Sequence, residues 1–191
     1  MGTAPPDRPG AKHTYRGVVL VALDVGYETR GATERGRCGV VGFERWEAAD
    51  AVHERTVEVD DVRPYVPGRL FERELPCLLA GLEALGVDVP LDAVTTIIVD
   101  GNVRLDQAGR AGLGMHLHRA LDSAVPVVGV AKRPFRGLEA VEVRRGTSSN
   151  PLHVTAVGID EHEAAQRVQA MAGEHRLPTL LRRVDQLANG V

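Results

Sequence analysis

Apolar residues in this chain cluster in short runs closed by glycine or aspartate, and stretches of helical period lie between them. Val18-Val19-Leu20-Val21-Ala22-Leu23 runs into Asp24 and predicts a strand over 17–24. The polar stretch 27–37, with Gly31 and Gly36, predicts a long hairpin loop. Strands follow over 38–43 and, with apolar/polar alternation, over 52–59. Their short connections predict an antiparallel meander. Two prolines hold Arg63-Pro64-Tyr65-Val66-Pro67-Gly68 out of any helix or central strand. A helix over 70–85 carries the stripe Leu70, Phe71, Leu75, Leu78, Leu79, Leu82 and Leu85, with Pro76 in its early turns. Thr95-Thr96-Ile97-Ile98-Val99 leads into Asp100-Gly101 as a buried central strand. Beyond it come a helix over 112–121, a strand over 125–130, a hairpin of 138–143 with 152–157, and helices over 161–172 and 178–188.

The order β-β-β-α-β-α-β, then a hairpin and helices, implies an α/β fold: a mixed β-sheet with helices on both faces, the ribonuclease H-like architecture. A length of 191 residues suits one domain over 15–191, behind a Pro/Gly-rich, disordered lead over 1–14 that lacks the apolar segment of a secretory signal. The net charge of −3 gives no global basic field, although a local basic groove is compatible with it. Among the 23 basic residues only Lys12 and Lys132 are lysines, which draws attention to Lys132. Cys38 and Cys77 lack metal-type spacing, and no apolar run approaches the ~20 residues of a membrane span. The expectation is a cytoplasmic, monomeric protein without a membrane partner.

Asp24 and Asp100 each end an apolar strand at a glycine, where an open α/β sheet presents its chemistry. Glu74, in the first turns of the helix that leads back to the sheet, has the reach to join them. Two or three carboxylates around an open position suit a hard cation. The alternatives are ordinary: an aspartate before glycine serves many turns, and a helix-face glutamate is commonly just solvated. Gly129-Val130-Ala131-Lys132 brings a lysine towards the same sheet edge, to meet a phosphate or to stand as a surface lysine. Tyr65, on its proline-braced loop, is either a wedge for a base stack or an aromatic lid on the core. His116 and His118 point apart and make a poor metal pair; one of them should pack against the sheet.

With these residues in place, the chain resembles the endonuclease V family over about 17–188. The motifs are Leu23-Asp24-Val25-Gly26-Tyr27, Pro64-Tyr65-Val66-Pro67-Gly68, Arg73-Glu74-Leu75-Pro76, Val99-Asp100-Gly101, the PVVGVAK run over 126–132, Asn150-Pro151-Leu152 and Arg176-Leu177-Pro178. Singly each is weak; their order and spacing are specific. The resemblance implies that Asp24, Glu74 and Asp100 bind Mg²⁺ or Mn²⁺, and that Lys132 serves the phosphate or the water. It places Tyr65, with Pro64, Pro67 and Gly68, in a strand-separating wedge. It also implies hydrolysis of the second phosphodiester 3′ to inosine or deoxyinosine, in DNA repair or RNA processing, on single-stranded or locally unpaired nucleic acid. Gly26 and Gly101 are then the expected walls of the pocket for the flipped base.

Two stretches depart from the family. Asn102 to Arg110 replaces a His-Gly and His-Pro-Arg segment beside the base pocket, and Gly158-Ile159-Asp160 stands where a Gly-His pair is common. Asp160 is an offset substitute for that histidine or a helix cap. The resemblance is therefore to a divergent branch. Its rivals are a nucleic-acid-binding module of the same fold with little or no catalysis, and a nuclease with changed base preference.

Overall fold

A computed structural model describes residues 20–30, 33–60, 62–66 and 69–191. The expected lead over 1–14, together with Pro67 and Gly68, lies outside the described residues. The described chain runs β1 (Leu20–Arg30), β2 (Thr33–Phe43), β3 (His53–Val59), α1 (Phe71–Leu85), β4 (Thr96–Val99), α2 (Leu113–Ala120), β5 (Val127–Ala131), β6 (Val141–Val143), β7 (Leu152–Val157), α3 (Glu161–Ala170) and α4 (Thr179–Asn189). One short 3₁₀ turn, Leu91–Ala93, precedes β4. The seven strands form one sheet in the order β3-β2-β1-β4-β5-β7-β6. β1, β4 and β5 are mutually parallel and every other pairing is antiparallel. This is the expected ribonuclease H-like mixed sheet.

The central strands read as near-continuous apolar runs because both of their faces are covered. Val21, Leu23, Ile97, Val99 and Val127 pack under α1 and α2, beside Cys77, Leu78, Leu113 and Leu117. Leu20, Ala22, Ile98, Val128 and Val130 face the other way, towards Ala164, Val168, Leu180, Leu181 and Val184 of α3 and α4. Leu70 is the exception in the predicted helical stripe, 40% exposed just ahead of α1.

The largest departure from the sequence reading is the hairpin. The stretch expected as a loop over 27–37 is mostly strand, and β1 and β2 stay in register from Leu20↔Phe43 to Arg30↔Thr33. Polar cross-strand contacts hold its outer half. Arg35 donates to Asp60 at 2.6 Å and also pairs with Glu58, while Arg37 reaches Glu58 at 3.1 Å. Among the described residues no helix is long and apolar enough to cross a membrane.

Candidate active site

Strand parity decides where the charged side chains emerge. Asp24 shares the face of Leu20 and Ala22 in β1, Asp100 continues that of Ile98, and Lys132 that of Val128 and Val130. The parallel registers Leu23↔Val99 and Val99↔Gly129 then set Asp24 beside Asp100, with Lys132 one strand over. All three project from the sheet face that α4 covers.

α4 lies close on that face because Gly26 and Gly39 have no side chains to hold it off. A Cβ on Gly26 would collide with the Ala188 carbonyl oxygen, and one on Gly39 would come within 2.6 Å of that of Val184. Gly26 is thus an extended residue inside β1 that seats a helix; it is not a turn lining a base pocket. The helix buries Leu180, Leu181, Val184 and Ala188, and Asp185 sits on the flank of that stripe. One carboxylate oxygen from each of Asp24, Asp100 and Asp185 falls within 4.8 Å of the others. The Lys132 ammonium bridges two of the three, donating to Asp100 at 2.6 Å and to Asp185 at 2.5 Å.

Below the acids the floor is apolar, with Ile98, Val130, Leu177 and Leu181 around a small cavity that Asp24, Asp100 and Lys132 also line. Burial over that floor, followed by repulsion from Asp100, pushes the Asp24 carboxyl up to about 7. Desolvation pulls Lys132 down, but its hydrogen bonds to Asp100 and Asp185 outweigh this and hold it above the usual lysine range.

Glu74 comes from the opposite layer. It does not join the trio at the 4.8 Å spacing, yet burial and then repulsion from Asp24 and Asp100 raise it to about 8. Beside it Arg73, 5% exposed, stacks on the Tyr27 ring at 3.7 Å and pairs with Glu34 at 3.2 Å. The structure therefore gathers the expected Asp24, Asp100 and Lys132, sets Glu74 at their edge, and adds Asp185. An all-oxygen donor set with too little compensating charge fits a hard divalent cation. Lys132 answers Asp100 and Asp185, while burial and then mutual repulsion keep Asp24 and Glu74 raised.

The signal for Asp185 was present but dilute. It lies four residues after Leu181 and three before Ala188, so it borders the buried stripe of a helix otherwise rich in surface charge. Asp160 does not enter the site. Its side chain caps α3, accepting from the Glu163 amide at 2.9 Å, and Ile159 packs against the α3/α4 core. His118 is buried with its Nδ1 2.8 Å from the Val125 carbonyl oxygen, and His116 stacks on Phe71.

Tyr65 is 61% exposed, with Pro64 exposed beside it. Tyr65 overhangs a cleft of about 160 Å³ walled by Phe71, Glu74, Gly101, Asn102 and Phe135. Gly101 does stand at a turn, its φ of +145° being one that side chains disfavour. From there the chain crosses β5, where Val103 N donates to Thr155 Oγ1 at 2.8 Å. The departing loop over 102–110 is a braced wall: Arg104 pairs with Glu161 at 2.8 Å and bridges to Ala111. Asn102 Oδ1 is buried in that wall without a hydrogen-bond partner.

A family model described as Endonuclease V matches residues 10–157. Endonuclease V of Methanopyrus kandleri is 38% identical over 135 residues, 70% of this chain and 52% of that protein. Endonuclease V of Xylella fastidiosa (strain 9a5c) is 30% identical over a 195-residue alignment, 90% of this chain and 76% of that protein. The match thus spans about half the length of the first relative and three quarters of the second. Among solved structures, Ciona intestinalis endonuclease V in complex with a 24mer DNA containing an inosine followed by a ribo-adenosine superposes with a TM-score of 0.71. The identity is 17%, over 92% of this chain and 85% of that one.

Proposed function

The chain belongs to the endonuclease V family, and from that premise we propose that it is a Mg²⁺- or Mn²⁺-dependent endonuclease acting on inosine-containing nucleic acid. The observation that carries this reading is the convergence of Asp24, Asp100 and Asp185 from β1, β4 and α4 within 4.8 Å, with Lys132 against two of them. Those three acids would hold the ion, with Glu74 at its edge. Bound there, a divalent cation supplies an activated water and neutralises charge on the phosphodiester in transit. Residues 15–191 act as one domain in this account.

The chain's own groups do the rest. Lys132, once displaced from its carboxylates, presents an ammonium to a non-bridging phosphate oxygen. Glu74 adds a carboxylate from the opposite layer at the edge of the ion. Cleavage of the bond from phosphorus to the 3′ oxygen, with solvent supplying the leaving oxygen's proton, yields a 3′-hydroxyl and a 5′-phosphate. Tyr65 stacks where the altered base is withdrawn, and the cleft of about 160 Å³ beneath it receives that base. Asn102, with its unpartnered Oδ1, stands in the wall that would read the base edge.

The test is cleavage of single-stranded DNA and RNA carrying one inosine or deoxyinosine, with Mn²⁺, with Mg²⁺ and with EDTA. Metal-dependent cutting at the second bond 3′ to the altered base, lost in Asp100→Ala, is expected. The second reading is a binding module, and the Lys132 bridge favours it by compensating two carboxylates without any ion. Retained binding with no cleavage of any substrate would establish that reading instead.

A further inference from the structure

Two clefts open from the carboxylates, and only one of them has a role so far. The second lies on the β7 side of β5 and encloses about 570 Å³. Lys132 forms its inner end and so joins it directly to the acidic trio. Arg133, Asn150, His153 and Arg176 line the remainder. Pro134 belongs to this cleft and Phe135 to the one under Tyr65, so the segment 133–135 divides the two.

In charge, this cleft runs against the rest of the molecule. The chain carries −3 overall, yet three of the cleft's lining residues are lysine or arginine. Its one acid, Glu142, has its carboxylate 3.5 Å from Arg144. Arg176 braces the cleft, donating to the carbonyl oxygens of Lys132 and, at 2.8 Å, of Pro151. His153 is 8% exposed and pairs across the sheet with Ala131, next to Lys132. Arg133 is exposed and makes no ion pair among the described residues. A rigid basic groove with an uncommitted guanidinium at its mouth suits a polyanion that tracks along it.

We propose that this cleft holds the phosphodiester backbone of the substrate strand on the 3′ side of the scissile bond. The assignment rests on the nuclease reading above. If the altered base occupies the cleft under Tyr65 and the cut lies 3′ to it, the strand crosses the carboxylates in the 5′-to-3′ direction. What passes beyond Lys132 is then the 3′ arm. Two strand spacings, about 10 Å, carry it from β4 across β5 to β7.

The experiment measures binding of labelled single-stranded deoxyinosine oligonucleotides by fluorescence anisotropy in EDTA. Two probes differ only in the arm 3′ of the expected cut: one ends just past it and the other continues for several nucleotides. Arg133→Glu should raise the Kd for the long-armed probe roughly threefold to tenfold and leave the short-armed probe unchanged. Arg133→Ala should lower the salt dependence of long-arm binding by about 0.7, the share of one phosphate contact on a single strand. Arg133→Lys should restore most of the affinity. Equal effects on both probes, or none on either, overturn the cleft assignment and leave the nuclease reading standing. Failure of the wild-type protein to bind any oligonucleotide, in EDTA or with Ca²⁺ in its place, overturns both.

Discussion

Replacing Glu74 with glutamine should make the cation-free protein more stable above neutrality and change it little in acid. The Glu74 carboxyl titrates at about 8 in the fold against 4.5 in an unfolded chain. Between those values the folded state keeps a proton that the unfolded state has shed, so stability falls as pH rises through the window. The stabilisation is complete below 4.5 and gone above about 8. At ~1.4 kcal/mol per unit, the whole displacement would amount to roughly 5 kcal/mol. Burial is its largest cause, and part of it is repulsion shared with Asp24, itself raised to about 7, so the two acids do not ionise independently. About 2 kcal/mol is therefore the portion that Glu74→Gln should recover. The assay is urea unfolding in EDTA at about pH 5 and about pH 9, with wild type and variant compared at each. Wild type should lose stability across that interval and the variant should lose clearly less. Parallel losses in the two proteins would refute the burial of Glu74 beside the other acids.

Gly26→Ala should cost about 1–3 kcal/mol in urea unfolding, because the new methyl meets the Ala188 carbonyl and pushes α4 outward. The same variant should bind Mn²⁺ more weakly, since Asp185 rides on that helix. Arg145→Ala should destabilise by roughly 3 kcal/mol, with cleavage per folded molecule unchanged. Its guanidinium, 5% exposed, serves the carbonyls of Val168, Gln169, Met171, Ala172 and Gly173 at the end of α3. Tyr65→Ala should leave stability within ~0.5 kcal/mol and weaken oligonucleotide binding about tenfold, the worth of one stacked base.

The parts of the site that rest on period-two strands were legible from the chain. Asp24, Asp100 and Lys132 each follow an apolar run, and two of those runs abut the third in the expected parallel core. The outer halves of β1 and β2 were not, because charged residues on an edge ribbon look the same as a solvated loop. Their order comes from partners far along the chain, Arg35 with Asp60 and Arg37 with Glu58. Asp160 shows the converse: an aspartate ahead of a helix found its partner three residues on, and local capping decided its place. Asp185 needed two periods read together, that of its own helix and that of the strand face beneath it. Gly26 and Gly39 marked that face, since a glycine inside a strand is one sign that a second backbone approaches closely.

Mn²⁺ titration of the wild-type protein by calorimetry, beside Asp24→Asn, Asp100→Asn and Asp185→Asn, tests most directly whether these acids form one cation site. The wild type should bind with release of protons, since Asp24 and Glu74 surrender theirs to the ion. Each substitution should weaken binding by an order of magnitude or more. A wild-type protein that takes up no cation, or an Asp185→Asn variant that binds as the wild type does, would contradict the account.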